Sequence, residues 1–237
     1  MDLRISRIEV YPVNIEKTVG KEVAVTYGLL RGLTNVVVKI FTEDGPHGWG
    51  EGAVSTDMFF FNGESQESVR AALSKIAPSL LGQDALNLNE IHEKMNLVPR
   101  NQAKCAIDVA LHDIIGKALE RPVHQLLGGA FSQEAPMHST VGISSPTEMA
   151  AQAIQRVEQG YRTLEIKVGK YEGRVSVEDD VARVRAVRDA IGNDVILIVD
   201  ANVGWDVHEA IRIIRKIEEL DVLIEQPTRN LEGLREI

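Results

Sequence analysis

The chain has 237 residues, of which 44% are hydrophobic and 26% are charged, a composition typical of a globular protein with one large or two modest domains. A net charge of −9 without a long basic run argues against binding to nucleic acid or to an anionic membrane. No apolar run approaches the ~20 residues of a membrane span, and no signal-peptide pattern is present, so we expect a cytoplasmic protein. The single Cys105 excludes an internal disulfide, and its apolar helical setting predicts a small core residue.

The first part of the chain has the pattern of a few antiparallel strands followed by helices. Strands are predicted at 4–13, 35–42 and 47–55, and helices at 66–81, 88–95 and 101–120. The segment 126–130, with two adjacent glycines, is predicted to end this region.

From residue 131 onward, strand and helix patterns alternate. Strands are predicted at 137–143, 163–168, 195–199 and 222–224, and helices at 146–159, 175–191 and 207–220. Such alternation predicts a parallel sheet with right-handed crossovers. The nearly continuous apolar run at 196–199 indicates a strand that is buried on both faces.

Three polar side chains stand where successive predicted strands end: Lys167, Asp200 and Glu225. The carboxyl ends of parallel strands in a barrel converge on one face, where active sites lie. Two carboxylates beside an amine suggest a hard divalent cation such as Mg²⁺ and a proton-transfer group, and the lack of His or Cys at these ends argues against zinc. The alternative is that the two acidic residues cap the helices that follow them.

Lys167 and Asn202 are each open to more than one interpretation. Glu165 lies two residues before Lys167 and on the same face of the strand, so the two could form a buried ion pair with a purely structural role. Lys167 could instead be a general base, provided its pKa falls to roughly 7–8; a nearby cation lowers that pKa and a carboxylate raises it. Asn202 either bonds a metal-bound water or caps the following helix.

Short motifs follow one another along the chain: GWGEG at 48–52, AIDVALHD at 106–113, GKAL at 116–119, LLGG at 126–129, EIKVG at 165–169, VDAN at 199–202 with Gly204 and Trp205 after it, and IEQP at 224–227. In this order and spacing they resemble the enolase superfamily, specifically its mandelate-racemase-like and muconate-lactonizing branches. The resemblance covers essentially the whole chain.

The resemblance implies a Mg²⁺ enzyme that removes the proton α to a carboxylate and stabilises the enediolate on the metal. Lys167 matches the acid/base lysine of the superfamily, and Asp200 and Glu225 match its first two metal ligands. Glu165 and Asn202 are then close to the cation or the substrate. Loops that carry Tyr27, Thr56 and Asp57 are expected to close over the substrate.

The chain departs from the superfamily pattern at Glu165, where many members have a further lysine; some amino-acid-processing branches lack that lysine too. We predict an α+β capping domain at 1–130, followed at 131–237 by an α/β domain of the (β/α)₈-barrel type with about the first four βα units. In the superfamily that the chain resembles, the third metal ligand and the opposite acid/base group belong to later strands. We therefore expect this chain alone to be inactive and to form a homo-oligomer that covers its unpaired strand edges.

The predicted function is Mg²⁺-dependent abstraction of the proton α to the carboxylate of a small substrate, in a racemase, epimerase, cycloisomerase or dehydratase. Gly204 and Trp205, together with the missing lysine, favour an amino-acid or hydroxyproline-like substrate. One alternative is a catalytically incomplete fragment with a structural or assembly role. Another is an aldolase-type barrel in which Lys167 forms a Schiff base with its substrate.

Overall fold

The computed structural model describes residues 1–18, 22–54, 63–99 and 102–237, and the chain divides into two compact units. The first unit contains Met1–Lys17 and Gly32–Gln133, and the second contains Thr18–Arg31 and Glu134–Ile237. This division differs from the predicted domains at 1–130 and 131–237 because the segment 18–31 belongs to the second unit. The physical cause is a hairpin in that segment that the sequence analysis did not predict.

The elements are numbered here in chain order over the described residues. The strands are β1 (Ile5–Glu16), β2 (Val23–Val25), β3 (Gly28–Leu30), β4 (Gly32–Thr42), β5 (Gly48–Gly52), β6 (His138–Val141), β7 (Thr163–Lys167), β8 (Ile196–Asp200) and β9 (Val222–Glu225). The helices are α1 (Gln66–Leu80), α2 (Leu88–Met95), α3 (Gln102–Leu119), α4 (Val123–Leu126), α5 (Pro146–Glu158), α6 (Val177–Ile191), α7 (Val207–Ile217) and α8 (Leu231–Glu236), with a 3₁₀ turn at Glu218–Leu220. None of the helices in the described ranges is long and apolar enough to cross a membrane.

The first unit is built on an antiparallel sheet with the strand order β1-β4-β5, and α3 packs against β5. Gly48, Gly50 and Gly52 alternate along β5 on its buried face, where the helix backbone approaches closely. A Cβ atom on Gly50 would lie only 1.8 Å from the carbonyl oxygen of Ala106. The glycine-rich motif at 48–52 is therefore explained by strand–helix packing.

Helix α3 buries the apolar stripe that its spacing predicts, from Ala103 to Ile115. The expectation that Cys105 is a core residue was wrong, because this residue is exposed. Its neighbours Ala103, Ala106 and Ile107 define the buried face, and Cys105 falls outside that stripe at about 100° per residue.

The second unit contains a parallel sheet with the strand order β6-β7-β8-β9, and β2 pairs with β3 in a separate hairpin. Apolar side chains of β7 and β8 pack against α5, α6 and α7, and Leu164, Ile166 and Val199 are fully buried. The N-cap residues Ser145 and Asp206 begin α5 and α7 with capping boxes. The alternation of strands and helices predicted a parallel sheet of this kind.

We expect the glycines of β5 to tolerate alanine in the order of their clearance from α3. A Cβ would lie 1.8 Å from a backbone atom at Gly50, 2.0 Å at Gly48 and 2.9 Å at Gly52. Overpacking a well-filled interior costs typically about 1–3 kcal/mol, so Gly50→Ala and Gly48→Ala should lower the free energy of unfolding more than Gly52→Ala. Denaturant unfolding of the three variants, followed by circular dichroism, measures this order; equal losses would contradict the packing explanation.

Candidate active site

The register of the parallel sheet brings the predicted strand-end residues into one row. Lys167 on β7 is the neighbour of Asp200 on β8, and Asp200 is the neighbour of Glu225 on β9. One carboxylate oxygen from each of Glu165, Asp200 and Glu225 lies within 4.8 Å of the other two. A lysine and three carboxylates therefore share one small region at the carboxyl end of the sheet.

Lys167 is the only described side chain that bridges two of these carboxylates. Its Nζ donates to Oδ2 of Asp200 at 2.5 Å and also donates to Oε1 of Glu165. Burial lowers the pKa of Lys167, but the hydrogen bonds to Asp200 and Glu165 outweigh burial, and the pKa lies above its usual value. In this arrangement the amine is therefore protonated, and the pKa of roughly 7–8 that a general base needs is not reached.

Asp200 is buried and is held by the segment that directly follows it. The backbone N–H of Asn202 donates to Oδ1 of Asp200 at 2.8 Å, and the Asn202 side-chain amide donates to Oδ2 at 2.6 Å. Asn202 has a φ of +46°, a left-handed conformation that asparagine tolerates better than most residues. Burial raises the pKa of Asp200, and the hydrogen bonds from Lys167 and Asn202 offset this only in part.

The helix-cap alternatives for the acidic residues and for Asn202 are wrong. Helix α7 is capped by Asp206, whose side chain accepts from the N–H of Glu209. Helix α8 is capped by Asn230, which accepts from Gly233. Asp200, Asn202 and Glu225 lie outside these caps, so their positions need another explanation.

Glu165 has partners on two sides besides Lys167. The hydroxyl of Thr140 donates to its Oε2 at 2.9 Å, and His138 Nε2 lies 3.0 Å from the same oxygen. Burial raises the pKa of Glu165, yet the hydrogen bonds from Lys167 and Thr140 prevail and hold it below its usual value. Glu165 is therefore an ionised partner of Lys167, and the predicted ion pair is present. The sequence analysis missed Thr140 and His138, which lie one strand away.

The charges of this region fit a divalent cation. Partial desolvation raises the pKa of Glu225, and the negative charges of Asp200 and Glu165 raise it further. When all three carboxylates are ionised and Lys167 is protonated, the cluster has two negative charges that no described positive group within it neutralises. Clustered carboxylate oxygens of this kind are the ligands that Mg²⁺ prefers.

A second buried network supports the loops at this end of the sheet. Asp180 of α6 accepts from the backbone N–H of Gly169 at 3.0 Å and from the indole N–H of Trp205 at 2.8 Å. It also pairs with Arg183, which donates to the carbonyl of Ser144 at 2.9 Å. The network thus ties together the loops that follow β6, β7 and β8. An Asp and an Arg three residues apart on the apolar face of a predicted helix were the signal for it.

The predicted substrate loops have different outcomes. Tyr27 lies in the two-residue turn between β2 and β3, directly after Thr26, whose hydroxyl bonds the carbonyls of Val168 and Ala201. Its segment therefore lies beside the ends of β7 and β8. Thr56 and Asp57 lie outside the described residues.

Two family descriptions match the chain. Residues 7–128 match "Mandelate racemase / muconate lactonizing enzyme, N-terminal domain", and residues 148–237 match "Enolase C-terminal domain-like". These two segments include the capping-domain motifs, apart from Gly129, and the strand-end residues Lys167, Asp200 and Glu225.

Several of the similar proteins are named for reactions on amino acids or their derivatives. The N-succinyl-L-Arg/Lys racemase of Bacillus cereus is 34% identical over 95% of this chain and 60% of its own length. The cis-3-hydroxy-L-proline dehydratase of Roseibium aggregatum is 31% identical over 95% of this chain and 60% of its own length. The crystal structure of a dipeptide epimerase from Enterococcus faecalis, complexed with Mg and L-Leu-L-Tyr, superimposes with a TM-score of 0.90 at 32% identity and covers 98% of this chain and 64% of that one. The chain thus spans about 60% of the length of these curated relatives.

We expect Asp180→Ala to destabilise the second unit strongly, because it leaves Arg183 buried without its partner. Breaking a buried ion pair on one side costs about 3–5 kcal/mol. Asp180→Asn, which keeps an acceptor oxygen, should have an intermediate effect. The control is Glu219→Ala, which breaks an exposed pair with Arg185 and should change stability little. Urea unfolding measures all three variants, and an Asp180→Ala variant as stable as Glu219→Ala would contradict this role.

Proposed function

Because the chain belongs to the mandelate racemase / muconate lactonizing enzyme family of the enolase superfamily, we propose that it removes the proton α to the carboxylate of a small substrate. One observation carries this proposal: an amine, Lys167, lies 2.5 Å from Asp200 within a cluster of three carboxylates. A proton-transfer group beside a candidate cation site is what this reaction needs, because the developing negative charge must be stabilised as the proton leaves.

In the proposed mechanism, Lys167 exchanges a proton with the α carbon of the substrate. In the forward direction the neutral amine accepts the α proton, and the electron pair of the broken C–H bond moves into the substrate carboxylate. In the reverse direction the ammonium returns a proton to the same carbon. Asp200 and Glu165 orient Nζ through their hydrogen bonds.

The residues that would hold Mg²⁺ are Asp200 and Glu225, and Glu165 is close enough to contribute charge. Bound there, Mg²⁺ would stabilise the negative charge of the reacting carboxylate and lower the pKa of Lys167. Asn202 keeps both oxygens of Asp200 in a fixed orientation through its two hydrogen bonds.

The substrate class that we favour is an amino-acid derivative, such as an N-acylated amino acid or a dipeptide. Support comes from the racemase, the dehydratase and the dipeptide epimerase to which the chain is similar. Gly204 packs against Thr26, and the indole of Trp205 donates to Asp180, so both residues have a structural explanation. The support for this substrate class therefore comes mainly from the relatives. Racemisation or epimerisation is the simplest outcome, because it needs only the removal of the α proton from one face and the delivery of a proton to the opposite face by a second group.

The alternative functions are not favoured. Attack on a carbonyl needs a neutral amine just as proton abstraction does, so the charged form of Lys167 does not separate the two functions. The candidate cation site beside Lys167 and the reactions named for the relatives favour α-proton abstraction. The relatives are isomerases and a lyase of one superfamily, which also gives no support to a purely structural role. The homo-oligomer and the cytoplasmic location stay predictions.

We expect the protein, as its gene encodes it, to exchange the α proton of N-acyl amino acids or dipeptides with solvent deuterium in the presence of Mg²⁺. Lys167→Ala should slow this exchange by at least ~10²-fold, the lower range of the contribution of general acid–base groups. Asp200→Asn removes a candidate ligand and should raise the Mg²⁺ concentration at which the exchange rate is half-maximal. Proton NMR in D₂O follows the loss of the α-proton signal.

The matched control for this experiment is Lys170→Ala, which removes an exposed lysine three residues further along the chain. Its exchange rate should remain close to that of the parent protein. Exchange that Lys167→Ala leaves undiminished would mean that Lys167 has only a structural role. Borohydride trapping of a carbonyl substrate on Lys167, without any α-proton exchange, would instead support the Schiff-base alternative.

A further inference from the structure

Glu165 lies on the same face of the parallel sheet as the two residues that would hold the cation. It shares its face of β7 with Lys167, and Lys167 is the register neighbour of Asp200 on β8. One oxygen of Glu165 lies within 4.8 Å of an oxygen of Asp200 and of an oxygen of Glu225. Two oxygens on opposite sides of a Mg²⁺ ion are about 4.2 Å apart, because each Mg–O distance is about 2.1 Å. Small side-chain movements therefore bring all three carboxylates into contact with one ion.

The carboxylate of Glu165 is held in this position by side chains of two strands. Thr140 donates to its Oε2 at 2.9 Å, His138 Nε2 lies 3.0 Å from the same oxygen, and Lys167 donates to its Oε1. Glu165 is only 7% exposed. A second carboxylate beside the buried Asp200 is costly, because like charges repel and burial penalises both of them. A cation that Glu165 shares with Asp200 offsets this cost.

The charge balance of the cluster is that of a divalent ion. The three carboxylates carry three negative charges when they are ionised, and the ammonium of Lys167 supplies one positive charge. His138, which contacts Glu165, adds a further positive charge only when it is protonated. A divalent cation balances the remaining two negative charges, whereas one more monovalent group leaves one of them unbalanced.

A buried acceptor beside Asp200 is an independent sign of a hydrated ion. Asn202 is 5% exposed, and its side-chain nitrogen donates to Oδ2 of Asp200 at 2.6 Å. Its side-chain oxygen is buried and has no hydrogen-bond partner among the described residues. A buried polar atom of this kind needs a donor. The waters that Mg²⁺ usually retains in its shell are such donors.

We propose that Glu165 is a direct ligand of the divalent cation, so that Glu165, Asp200 and Glu225 each supply one oxygen to its shell. This inference rests on the proposed function, in which Glu165 contributes only charge, and adds a ligand to it. The superfamily that the chain resembles often has a lysine at this position, so the resemblance does not supply this ligand. Three oxygens from the protein leave three positions of a six-coordinate shell for water or substrate.

The first test counts the water molecules on bound Mn²⁺, which binds to oxygen ligands as Mg²⁺ does and is paramagnetic. Broadening of its electron paramagnetic resonance lines in ¹⁷O-enriched water measures this number. Glu165→Leu, which is similar in size and has no ligand atom, should increase the number by one, because a water takes the vacated position. The matched control is Glu219→Ala, which removes an exposed carboxylate of the same unit and should leave the number unchanged.

The second test measures the dissociation constant of Mn²⁺ by titration calorimetry. Glu165→Leu should raise it by at least about tenfold, since even the loss of a group that only supports a ligand costs 10–100-fold in metal affinity. Glu165→Asp, which keeps the charge on a shorter side chain, should raise it as well. If Glu165 contributed charge alone, Glu165→Asp would bind Mn²⁺ as tightly as the parent protein, and the proposal would be overturned.

The two tests separate this inference from the proposed function, because neither needs a substrate. Circular dichroism shows whether each variant is folded. An unchanged number of waters in Glu165→Leu overturns the proposal; if that variant does not fold, an unchanged number in Glu165→Asp overturns it in the same way. Mn²⁺ binding that does not depend on Glu165 contradicts this inference alone. If the parent protein binds no Mn²⁺, both this inference and the cation site of the proposed function are wrong.

Discussion

The candidate active site depends on one arrangement, the ammonium of Lys167 held between the carboxylates of Glu165 and Asp200. Removing charged groups from water costs several kcal/mol per ion even after relaxation, so a buried arrangement of this kind persists only with close partners and hydrogen bonds on each side. Here Thr140 and His138 support Glu165, and Asn202 supports Asp200. Buried ion pairs seldom raise stability above that of an apolar core. A functional reason for these charges is therefore the better explanation.

The fold supplies this arrangement through strand register and through two layers of support. Register alone places Lys167, Asp200 and Glu225 side by side. Behind them, the buried Asp180 holds the loops after β6, β7 and β8 through Arg183, Gly169 and Trp205. Thr26 of the β2–β3 hairpin bonds the loops after β7 and β8, although it lies far from them in the sequence. Local geometry is thus fixed by contacts that are distant in sequence.

The sequence predicted the parts of the structure that follow from periodicity. The helices at 66–81, 88–95 and 101–120 agree with α1, α2 and α3 within a few residues, because each buries a continuous apolar stripe. The strand-end residues could be found for the same reason, since a side chain at the end of a buried strand has a predictable position. Cys105 was placed wrongly because an apolar window does not say which side of the helix a given residue occupies.

Other features could not be predicted because they depend on contacts across the chain. The strands β2 and β3 have only three residues each, too few for a clear alternation, and their position is set by Thr26 and Ala24 on distant loops. The raised pKa of Lys167 follows from the distance to Asp200, a residue 33 positions away. The sequence raised the possibility of a Glu165–Lys167 pair. The pKa of Lys167, however, depends on the balance between burial and two carboxylate partners, which only the three-dimensional structure shows.

The most direct test of this account is a double-mutant cycle on the Lys167–Asp200 contact, with Lys167→Met, Asp200→Asn and the double variant. The free energies of unfolding are measured by urea denaturation with a chelator present, so that no metal contributes. A buried charged pair in contact should give a coupling energy of at least ~2 kcal/mol, because each single substitution removes a charged partner of the group that remains. A coupling energy below ~0.5 kcal/mol, the range of independent sites, would contradict the claim that this contact organises the site.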